Sequence, residues 1–198
     1  MLEKIVKVVN DFQEMFDTEK EKLNREITRI ENTYNPMAAE YNSSKMAAIK
    51  EFNEKVEPER LAAIEKIHEY AKIDMEALAN ITSNPVPNDA VTTVELLKAG
   101  NPEQLSEFEV KSILDKYKEN YLAIKVIVQI TNAKERFGIR CVSADNIIKE
   151  IQNVEEMACR MVRQYNGTPT YEQALVLKGG IIMNINERVQ NFLSFNYC

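Results

Sequence analysis

The chain has 198 residues, enough for one substantial domain or one domain plus an extension, and its 44% apolar and 28% charged composition is that of a folded globular protein. With 25 Lys+Arg against 31 Asp+Glu it carries a net charge of −6, which argues against nucleic acid or anionic lipid as a first partner. No apolar run approaches membrane-spanning length, and the opening Met1-Leu2-Glu3-Lys4 leads into no signal-peptide core. A cytoplasmic protein without membrane insertion is expected. Three widely spaced cysteines, Cys141, Cys159 and Cys198, read as free thiols in a reducing compartment.

The first half predicts long helices. The first of the five glycines is Gly100, and glycine in a helix interior costs about 1 kcal/mol relative to alanine, so its absence favours unbroken helix. Leu2, Val9, Phe16, Leu23 and Ile30 recur every seven residues, with Ile5 and Phe12 at the second seam position and Ile27 taking up the stripe later. Glu19 and Glu26 interrupt that second position. This seam belongs against a partner helix in the manner of a coiled coil. At 1.5 Å per residue the element would run roughly 45 Å.

Asn35-Pro36 predicts a reversal, with asparagine as N-cap and proline at the first helical position. The second arm carries Ile49, Phe52, Val56, Leu61, Ile64, Ala71, Met75 and Leu78, and Pro58 is expected to kink or restart it. Residues 1–83 thus form a helical hairpin. It accounts for most of the acidity, since the chain up to Ile81 has 12 basic and 17 acidic residues against 13 and 14 in the remainder. Residues 84–88, Asn84-Pro85-Val86-Pro87-Asn88, read as a linker to a C-terminal helical domain over 89–198.

In that domain a short helix starts at Asp89 and stops at Gly100-Asn101-Pro102. Ser106 and Glu109 form a capping box for the next, which carries Val110, Ile113, Leu114, Tyr117, Tyr121 and Ile124 and ends at Gly138. Its run Leu122–Val128 has strand-like β-branched content, but no glycine or proline separates it from helical sequence, so helix is favoured. Ser143 caps a helix that buries Ile147, Ile148, Ile151, Val154, Met157, Met161 and Val162 and closes at Gly167. Thr170 and Gln173 open a last one with Leu175, Ile182, Ile185, Val189, Phe192 and Leu193; Gly179-Gly180 within it marks a break, a close crossing or a small hairpin.

No residue set amounts to a catalytic, cofactor-binding or metal site. Glu65 and His68 have the Glu-x-x-His spacing of di-iron bundles, which need that pair twice, and His68 is the only histidine. Cys141 and Cys159 have no CxxC partner and no nearby histidine, and read as small buried hydrophobes. Glu155 and Glu156 diverge on a helix; Tyr117 and Tyr121, at i,i+4 spacing, dock one helix on another.

Tyr34-Asn35-Pro36-Met37-Ala38-Ala39-Glu40 with Lys45-Met46-Ala47-Ala48-Ile49, and Glu119-Asn120-Tyr121-Leu122-Ala123-Ile124 with Phe137-Gly138-Ile139, resemble passages in small helical proteins encoded among the structural and morphogenesis genes of phages and prophages of Gram-positive bacteria. The resemblance implies a non-enzymatic virion-associated or assembly protein in the host cytoplasm or the virion. It carries no site residues across. The expectation is an all-α homo-oligomer that meets a copy of itself or a virion component through the seam Leu2, Ile5, Val9, Phe12, Phe16, Leu23, Ile27 and Ile30. The alternative is a cellular coiled-coil adaptor or regulator.

Overall fold

A computed structural model describes residues 3–139, 141 and 143–168, and all regular structure among them is helical. The two long helices are α1 (Glu3–Thr33) and α2 (Ala39–Ser83). Shorter ones follow: α3 (Asn88–Ala99), α4 (Glu107–Lys116), α5 (Tyr121–Ile130), α6 (Ala133–Phe137) and α7 (Ala144–Gln164), with a 3-10 turn at Pro102–Gln104. The expected final helix and Gly179-Gly180 lie outside the described residues, as does Leu2.

The hairpin forms, with its turn built differently from the expectation. Asn35 does not cap a helix starting at Pro36. Its Oδ1 accepts from the Met37 N–H at 2.9 Å, holding a local turn, and α2 begins only at Ala39. Contact pairs then run in opposite directions along the two arms. Lys4 lies over the Tyr70 ring, Phe16 meets Phe52 edge-on with centroids 5.5 Å apart, and Lys45 donates to Glu31 at 2.8 Å. Pro58 does not restart α2, which stays helical through it. Proline removes the hydrogen bond to the carbonyl four residues back, and Glu54, Glu57 and Pro58 are all exposed, so water can satisfy that carbonyl.

Contacts divide the chain into two compact units, with the divisions falling inside α2 and α7. Among the described residues, one unit holds 3–72 together with 153–168. The second half of α7 belongs there because it buries Val154, Ala158, Met161 and Val162, with Tyr165 buried just beyond its end. The hairpin core is Ile5, Val9, Phe12, Phe16 and Ile30 from α1 with Val56, Ala63, Ile67 and Ala71 from α2. Each fully buried large side chain contributes about 1.5–3 kcal/mol. Tyr165 closes the cluster, with its ring centroid 5.2 Å from Phe16 and 6.5 Å from Phe12 in edge-on geometry.

The other described unit, Ile73–Gln152, packs Ala90, Val110, Leu114, Tyr117, Ala123, Ile124, Ile127, Val128, Ala133 and Ile139 into one core. The single helix expected from Ser106 to Gly138 is three. Tyr117 ends α4, and Asn120, with extended backbone, caps α5 by accepting from the Ala123 N–H at 2.9 Å. The Asn120 amide also donates to the Pro85 carbonyl at 2.9 Å, so the break at 117–120 ties the α2–α3 connection to the core. Asn132, left-handed at φ 50°, separates α5 from α6, and Gly138 at φ 72° ends α6. The capping box at Ser106 and Glu109 is present in full, and Leu122–Val128 is helical. Tyr117 does dock a helix: its hydroxyl lies 2.7 Å from Thr93 Oγ1 and donates to the Asp89 carbonyl on α3.

Candidate functional site

In the hairpin unit, chemistry-bearing side chains meet where α2 and α7 approach. Glu155 and Cys159 stand four residues apart on α7 and so share a face. His68 of α2 meets both: Nδ1 lies 2.5 Å from Glu155 Oε1, and Nε2 lies 3.8 Å from the Cys159 sulfur. This corrects the reading that Cys159 has no nearby histidine. The order carboxylate–imidazole–thiol is the one that orients a base toward a nucleophile. The thiol is nevertheless shut away. Cys159 is 2% exposed, and burial, the largest effect, raises its pKa despite the nearby Arg163 cation. A neutral, buried thiol is a poor nucleophile. Glu156 points elsewhere, paired with Arg160 at 2.8 Å, as expected of a solvated face. Among the described residues no group of three His, Cys, Asp or Glu could hold a metal ion.

Arg60 has a structural task that its sequence position did not signal. Its guanidinium donates to the carbonyls of Val162, Arg163 (2.9 Å) and Tyr165 (3.4 Å), at the C-terminal end of α7. Those carbonyls lack helical partners and carry the negative end of the helix dipole. The same cation lies over the Phe12 and Phe16 rings, 5.2 and 5.7 Å from their centroids. Just beyond, Gly167 at φ 90° passes Lys20 so closely that an added Cβ would stand 2.5 Å from Nζ. The left-handed backbone is what favours glycine there, since the end of the lysine side chain could swing aside.

The interaction seam read from the sequence is used within the chain. Ile5, Val9, Phe12, Phe16 and Ile30 are buried, Leu23 and Ile27 partly so. The acidic interruptions are accommodated by ion pairs. Glu19 is paired with Lys22 at 2.5 Å, whose hydrogen bond is the largest effect holding its carboxyl below the usual range, and Glu26 is gripped by Arg29 through both carboxylate oxygens. A polar groove of about 300 Å³ runs over this region, lined by Glu19, Lys22, Leu23, Glu26, Ala48, Glu51, Phe52 and Lys55.

What stays open is the outer side of α2. Met46 is 72% exposed, Ile49 43% and Leu61 56%. Together with Lys50, Asn53, Glu54, Glu57 and Pro58 they line an open, predominantly apolar groove of about 690 Å³. Leu61 follows Phe52 by nine residues, or two and a half helical turns, and so points away from the α1 side. Such a face on one helix is suited to receive another apolar helix face. The sequence reading counted Ile49 and Leu61 among the apolar residues of the second arm without distinguishing this second face. Among the described residues, no helix is long and apolar enough to cross a membrane. Comparison with protein-family models, with curated proteins and with solved structures gives no match.

Proposed function

We propose that the chain is a non-enzymatic structural or assembly-associated protein that works by helix-mediated protein–protein contact, of the kind its resemblance to phage and prophage proteins implies. Its docking face is the outer side of α2 between Met46 and Leu61. The carrying observation is the contrast between two apolar stripes: the α1 seam is consumed inside the chain, whereas three large apolar side chains of α2 stand open along one groove. The buried, neutral thiol of Cys159 supports a contact role over a chemical one.

Chemical cross-linking in cells that express the chain tests this reading. Lys50, whose side chain is 77% exposed, is expected to cross-link to a polypeptide, and Leu61→Glu is expected to abolish that product without lowering thermal stability. An unchanged cross-linking pattern in Leu61→Glu, or none from wild type, would sink the proposal. So would loss of function on Cys159→Ser with the α2 face intact.

A further inference from the structure

Resting on the reading that the outer face of α2 is the docking face, we infer that its occupant is a second copy of this chain, packed antiparallel about a twofold axis between Asn53 and Glu54. A twofold contact sets one patch against itself, so the patch must be complementary under reversal of direction. The eight groove residues meet that condition. Reversed about the midpoint, Met46 faces Leu61, Ile49 faces Pro58, Lys50 faces Glu57 and Asn53 faces Glu54. Apolar groups meet apolar groups at both ends, and a cation meets a carboxylate twice nearer the axis. A parallel pairing would instead set Lys50 on Lys50 and Glu57 on Glu57. The charge order therefore selects the antiparallel arrangement.

The groups that would meet are available. The Lys50 and Glu57 side chains are 77% and 61% exposed, and their in-chain partners are longer contacts, Lys50 to Glu54 at 3.6 Å and Glu57 to Arg60 at 3.3 Å. Methionine at an end of the patch adapts its shape to the leucine opposite. The patch is also small. Eight residues per copy compare with about 20–30 per side in a standard stable interface, so the dimer dissociates on dilution.

Site-directed disulfide trapping tests the register. Met46 and Leu61 are roughly 22 Å apart along one helix, too far to bridge within a chain. Full-length Met46→Cys mixed with full-length Leu61→Cys, both carrying serine at the three native cysteine positions, is expected to give a disulfide-linked dimer under mild oxidation, while each alone gives none. In sedimentation, wild type is expected to shift from monomer to dimer with concentration. Lys50→Glu should weaken that dimer about tenfold, and Lys50→Arg should keep it. A Met46→Cys chain that cross-links to itself marks parallel pairing and overturns the inference. A wild type that stays monomeric at high concentration also overturns it. If Lys50 still cross-links to a different polypeptide in that case, the docking-face reading survives and only the second copy is wrong; if it cross-links to nothing, both fail. A groove protected from labelling at every concentration means that residues 169–198 or another ligand covers it, and this too overturns the second copy.

Discussion

Each of the two units uses one arginine to gather carbonyl oxygens, and the two arginines differ in how far along the chain they reach. Arg60 binds carbonyls 102 to 105 positions away, at the end of α7. Arg136 binds those of Pro102 and Leu105, 34 and 31 positions back, and of Thr131, five back. Both cations also lie over phenylalanine rings, Arg136 over Phe137 at 4.4 Å. The hairpin unit is thus closed by a distant segment, and the other described unit by its own neighbourhood. Closing a long loop costs chain entropy before any contact repays it. The α3–α6 region should therefore keep its structure when the hairpin is weakened.

The largest test of that difference is Phe16→Ala. Phe16 is 5% exposed and touches Phe12, Phe52, Tyr165 and the Arg60 cation, so truncation should cost about 3–5 kcal/mol. Hydrogen exchange should show lost protection in α1, the first part of α2 and the end of α7, with α3–α6 near wild type. Equal loss in both units would break the distinction. Arg60→Ala comes next, at about 3 kcal/mol, because charge-assisted bonds to otherwise partnerless carbonyls are lost. Arg60→Lys should restore less than half of this, since an ammonium cannot span several carbonyls as a planar guanidinium does. Equal stability of the Lys variant and wild type in chemical denaturation would show that only charge matters there.

A smaller effect, about 1–2 kcal/mol, is expected for Asn120→Ala in the other unit. Asn120 is 6% exposed, and its side chain both caps α5 and holds the Pro85 carbonyl. Here the exchange pattern should invert, with α3 and α5 affected and the hairpin spared. Asn120→Asp, which retains the acceptor and loses the donor, separates the cap from the tether: protection returning in α5 but not around Pro85 is the expected outcome.

That inversion bears on what the sequence made legible. Features encoded by neighbours were readable: the α1 stripe, the Ser106–Glu109 capping box, and the stops at Gly100 and Gly138. Asn120 is of a residue type favoured at N-caps, and the reading of one unbroken helix passed over it. Features that depend on distant segments were not readable. Nothing local marks Arg60 as the residue that closes α7, or pairs His68 with Glu155 and Cys159 across some 90 positions. The same limit explains the docking face. Apolar residues at Ile49 and Leu61 show that α2 has more than one stripe, but only the placement of α1 and α7 shows which stripe is left uncovered.

The smallest effect appears only at high pH and singles out the hairpin unit. Burial first, then the hydrogen bond its hydroxyl donates to Asp17 Oδ2 at 2.7 Å, push the Tyr165 pKa up to about 12. An unfolded tyrosine titrates near 10. The folded state therefore holds this proton more tightly than the unfolded state. The stabilisation is fully present below about pH 10 and fades as pH rises toward 12. Ultraviolet titration of the phenolates should show a late-titrating component that Tyr165→Phe removes. The variant loses the Asp17 contact and is less stable than wild type at neutral pH, but the gap should narrow on approaching pH 12. A gap that stays constant with pH would mean that the Tyr165 hydroxyl proton is held no more tightly in the fold than in water, and that the end of α7 is secured by Arg60 and ring packing alone.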